Sequence, residues 1–106
     1  MKELTQQQAI DLAETEFYKD LTPDEIVRFQ LFEPLICMPF DVFHEAIEKV
    51  LDRPVFVHEF ASSNVDRIKA EFLGSKKPPT FQEIIDLIPE EKRLIVFKQS
   101  TAKQFN

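Results

Sequence analysis

A chain of 106 residues is expected to form one compact domain, here over residues 1–98, with a frayed tail at 99–106. Its one glycine excludes the Gly-rich loops that cradle phosphates and dinucleotides, and its one cysteine, Cys37, excludes an intramolecular disulfide or a multi-cysteine zinc site. The net charge of −6 is uneven: residues 1–53 carry 5 basic and 12 acidic side chains (−7), residues 54–106 carry 8 and 7 (+1), so the first half repels phosphate backbones and anionic membranes.

A first helix is predicted from Thr5 to Lys19, with Thr5 as its N-cap and Ile10, Ala13, Phe17 and Leu21 on one stripe. Thr22 caps a second helix. Pro23 fits its first position, and Glu25 can close a capping box. This helix, to Phe32 or Glu33, carries Ile26, Val27, Phe29, Leu31 and Phe32 on nearly every side, as a helix at the centre of a core does. Pro34 ends it. Leu35, Ile36, Cys37 and Met38 then lie between Pro34 and Pro39. Four apolar residues in a link read either as an extended, buried segment or as an exposed docking loop. Cys37 itself reads as a small buried hydrophobe.

Pro39 opens a third helix to Leu51, the clearest amphipathic one, with Phe40, Phe43, Ile47, Val50 and Leu51 on its stripe. Residues 55–60 alternate and suggest a strand. Ser62, Ser63 and Asn64 are cap candidates for a fourth helix, which carries Val65, Ile68, Phe72 and Leu73 inward and has Gly74 at the position of a left-handed C-terminal cap. Thr80 and Glu83 form the capping box of a fifth helix, whose stripe is Phe81, Ile84, Ile85 and Ile88 and which Pro89 closes. Residues 94–97, LIVF, are the natural partner for the first strand. The expectation is a mainly α protein of the α+β kind: about five helices around a Phe-rich core, with a two-stranded sheet pairing 55–59 with 94–98. Eleven Phe, one Tyr and no Trp speak for packing more than for recognition chemistry.

Little in this inventory is catalytic. His44 sits at the edge of the third helix's stripe, with Glu48 one turn on and Asp41 just under one turn back. With His58 and Glu59 it makes a conceivable metal or acid–base set, but the spacing that puts two histidines on one helical face is missing. A packed histidine bonded to a neighbouring carboxylate is the plainer reading of both. Lys76 and Lys77 could touch phosphate, yet they precede Pro78 and Pro79 rather than a recognition helix, and the chain is acidic. No catalytic residue, metal ligand or cofactor is expected. The balance leans away from an enzyme and from nucleic acid, towards contact with a protein partner, host-encoded or a second copy. The candidate surface is Leu35, Ile36, Met38, His44 and Glu48. The first residues, MKELTQQQ, contain no apolar run, and no window approaches 18 apolar residues, so no membrane association is expected and a cytoplasmic location is.

The run RFQLFEPLICMPFDVFHEAIEKVLDRPVFVHEFA, residues 28–61, resembles the signature of a family of small proteins of unknown function found in phages and prophages. The later PPTFQEIIDLIP, residues 78–89, is similar to that family's second block. The resemblance implies a bacterial host cell and no assigned activity.

Overall fold

The computed structural model describes residues 4–61, 64–94 and 96–97. Helix α1 (Gln6–Thr15) opens on a capping box in which Thr5 and Gln8 satisfy each other's backbone N–H. It is shorter than the pattern predicts. Glu16 enters the left-handed region at φ 55°, and the chain continues as a 3-10 turn over Phe17–Asp20. The buried face is also rotated from the predicted stripe: Ala9 and Leu12 point inward while Ile10 stays exposed. The turn then delivers Phe17 and Tyr18 to the core, with the Phe17 ring 4.9 Å from that of Phe29.

Helix α2 (Pro23–Gln30) begins with the predicted Thr22–Glu25 capping box and is central. Ile26, Val27, Phe29 and Gln30 are all buried along it, and it packs on α3 (Phe40–Leu51) and α5 (Phe81–Ile85). Full burial of each large apolar side chain is worth about 1.5–3 kcal/mol, so α2 carries a large share of the core. Helix α3 ends at Asp52, in the left-handed region at φ 58°, a conformation that Asp tolerates better than most residues. Helix α4 (Val65–Leu73) packs on α3 and ends at Gly74, whose φ of 61° suits glycine, though its ψ of −117° is not that of a left-handed cap. The cap candidates Ser62 and Ser63 lie outside the described residues. Helix α5 opens on the Thr80–Glu83 capping box and stops at Ile85, and both Ile84 and Ile88 are buried.

The two-stranded sheet is not there: no described residue is in a strand, and the fold is helical. Val57–Phe60 form a 3-10 turn, and residues 90–94 and 96–97 are helical, with 95 and 98 outside the described residues. Two physical reasons account for the correction. Residues 55 and 56 place peptide groups on side chains of α3 and of the turn, so they need no neighbouring strand. The LIVF run is too short for its periodicity to separate strand from helix, and the N–H groups of Lys92 and Arg93 bond the Pro89 carbonyl and start a helical turn. The tail at 99–106 lies outside the described residues. No helix among those described is long and apolar enough to cross a membrane.

Candidate interaction groove

Helix α2 stops one turn before Pro34, and the last residue of the helix builds the link that follows. The buried Gln30 amide donates through Nε2 to the carbonyls of Glu33 (3.2 Å) and Leu35 (2.9 Å), and its Oε1 accepts the Cys37 N–H (2.9 Å). One side chain thus answers three peptide groups of a segment that has no helix or strand of its own. Glu33, also buried, accepts the Leu35 N–H at 3.2 Å through Oε2.

So held, the link alternates. Cys37 and Met38 go into the core, Leu35 is half-buried against it, and Ile36 stands out at 69% exposure. Burial pushes the Cys37 thiol up to about 12, so it stays protonated at neutral pH and is no nucleophile. Beside Ile36 a groove of about 620 Å³ opens between the end of α2, the start of α3 and the start of α4. Phe32, Met38, Phe40, Phe43, Phe60 and Val65 give it an apolar wall, and Lys69 sits at its edge with Nζ 5.6 Å from the Phe32 ring centre. Phe40, 41% exposed, stacks on His44 at 5.5 Å and meets Phe60 edge-on at 5.4 Å.

His44 and Glu48 both bond the Val55 peptide group. His44 Nε2 donates to the Val55 carbonyl, which fixes the proton on that nitrogen, and lies 3.4 Å from Glu48 Oε2. The same Glu48 oxygen accepts the Val55 N–H at 2.9 Å. His58 is exposed on the 3-10 turn, its ring stacked on Phe56. Among the described residues no three His, Cys, Asp or Glu side chains converge as a metal site. Lys76 and Lys77 are exposed just beyond α4.

Of the five residues expected to form a surface, then, Ile36 is the exposed one, Met38 is a core side chain at the groove's floor, Leu35 is half-buried, and His44 and Glu48 brace the wall. Sequence reasoning missed Gln30 and Arg53. Arg53 uses its whole fork: Nε and Nη2 on Glu71 (3.0 and 2.8 Å), Nη2 and Nη1 on Glu59 (3.0 and 3.3 Å), and Nη1 on the Pro54 carbonyl (2.8 Å). This ties the end of α3 to the 3-10 turn and to α4. Arg53 holds both carboxyls below their ordinary range, and Glu59 gains further from the Phe56 N–H. A signal existed for Gln30 alone: a polar residue between Phe29 and Leu31, just before a proline-bracketed link.

Residues 23–73 match a family described as a domain of unknown function, DUF7736. The match contains every residue that lines the groove, together with Arg53, Glu59 and Glu71. It includes residues 28–61, over which the phage-type resemblance was read, and stops short of 78–89. No curated protein and no solved structure matches the chain.

Proposed function

We propose that this chain works by protein–protein contact at the groove beside Ile36, and not by catalysis, as a small phage- or prophage-type accessory protein in the cytoplasm of a bacterial host. The observation that carries this reading is the pairing of an exposed apolar side chain with an apolar groove on a rigid wall. Ile36 and Phe40 stand beside the groove; Gln30 fixes the link that presents Ile36, and His44 and Glu48 tie the Val55 peptide group to α3, the helix that carries Phe40. Contiguous exposed apolar surface next to polar residues marks contact sites, and a wall already ordered before binding saves the entropy of ordering it. The phage context rests on the resemblance of residues 28–61 and 78–89.

The test is affinity capture from bacterial lysate that also contains an untagged copy of the chain, comparing the parent with Ile36→Asp. Ile36 is on the surface, so the substitution buries no charge. The expected result is a protein retained by the parent and lost with Ile36→Asp. Retention of nothing, or the same set with both, would overturn the reading.

A further inference from the structure

We infer that the occupant of this groove is a second copy of the chain, docked about a two-fold axis, an inference that rests on the docking reading above. The first support is shape. Ile36 is a ridge with a hollow on either side: the groove towards Phe40, and a shallower recess of about 350 Å³ lined by Gln6, Ala9, Ile10, Pro34 and Leu35. A ridge and a matching hollow on one face are what an isologous contact needs, because each copy then offers what the other receives.

Charge is the second support. Two copies at −6 each repel one another over most of their surface. Among the described residues the groove and the recess are lined by only two charged ones, Glu33, which is buried, and Lys69. Charge-depleted centres are typical of interfaces. Lys69 has no ion-pair partner among the described residues, and neither does Asp41, the exposed residue next to Phe40. A two-fold arrangement uses both, with Lys69 of each copy answering Asp41 of the other.

Sedimentation velocity on the full chain, from low micromolar to near-millimolar concentration, tests this. The parent is expected to rise from 12.4 kDa towards twice that mass, and Ile36→Asp to stay at 12.4 kDa throughout. Lys69→Glu and Asp41→Lys should each weaken association about tenfold, and the double variant should recover most of that loss, as reciprocal charge pairs require. All four variants must keep the parent's far-ultraviolet circular dichroism to count. A parent that stays at 12.4 kDa, a dimer that Ile36→Asp leaves intact, or a double variant no better than the singles would overturn the inference. A monomeric parent that still captures another protein through Ile36 overturns self-docking and leaves the docking reading standing. A monomeric parent with no Ile36-dependent capture removes both.

Discussion

The link at residues 34–39 and the segment at residues 54–56 each follow a helix, begin with a proline and carry apolar side chains. Neither pairs with a strand, and both answer their peptide groups with side chains, but the chemistry differs. The link depends chiefly on one buried neutral amide, Gln30, with the buried Glu33 carboxylate taking the Leu35 N–H. The segment depends on His44, Glu48, Glu59 and Arg53 near the surface. A buried amide is indifferent to pH and salt and has no water to replace it, so its loss is large. Charged groups near solvent are individually replaceable and respond to both conditions. The groove lies between these two supports, with a ridge set by the first and a wall braced by the second.

The largest effect should come from the link. Gln30→Ala removes the amide's bonds to the Glu33 and Leu35 carbonyls and to the Cys37 N–H, and leaves the Leu35 carbonyl with only the weak Cys37 Sγ contact at 3.5 Å. This should cost about 3 kcal/mol, read as a lowered urea midpoint at unchanged slope. Cys37 gives an independent readout. Its thiol is buried and protonated, so alkylation waits for the link to open, and Gln30→Ala should speed it. An unchanged midpoint and labelling rate would mean that packing of Leu35, Cys37 and Met38 alone holds the link.

The same contrast governs what was legible in the sequence. The capping residues Thr5, Thr22 and Thr80 were readable because a cap and its partner lie within four residues; the structure closes the expected boxes at Thr22 and Thr80 and adds one at Thr5, where only an N-cap was expected. The centrality of α2 was readable because Ile26, Val27 and Phe29 crowd it beyond its first turn, although Asp24, Glu25 and Arg28 give it an outer polar face that this reading passed over. The sheet was misread because alternation in residues 55–60 reports a two-residue period and says nothing about what bonds the backbone; here the bonds come from α3 and from Glu59. Arg53 and Glu71 lie 18 residues apart, and no local pattern connects them. The candidate surface was half legible. Hydropathy marked the Leu35–Met38 run, but which of its side chains points outward depends on the backbone path that Gln30 sets.

A smaller effect is expected at the wall. His44→Ala removes the donor to the Val55 carbonyl and the ring stacked on Phe40, and Glu48→Ala removes the acceptor for the Val55 N–H. Each should cost about 1–2 kcal/mol, the scale of a half-buried hydrogen bond. Glu48→Gln keeps an acceptor oxygen and should retain most of the stability. If Glu48→Gln were as damaging as Glu48→Ala, the carboxylate's charge beside His44 would matter more than its bond to Val55.

The smallest effect, and one that should depend on pH and salt, lies at Arg53. Glu59 and Glu71 are held below their ordinary value of 4.5 in the folded chain, so the unfolded chain binds protons first as the pH falls. Their stabilisation is therefore complete above about pH 4.5 and is lost as the pH drops through the lowered folded values. The melting temperature of the parent should exceed that of Arg53→Met at neutral pH and low salt, and the gap should narrow in acid and in high salt. The gap between the parent and Gln30→Ala should stay the same under both changes. A gap at Arg53 that survived acid and salt would assign its role to the Pro54 carbonyl bond and to packing of its stem. The two supports of the groove would then differ in depth of burial alone and not in kind.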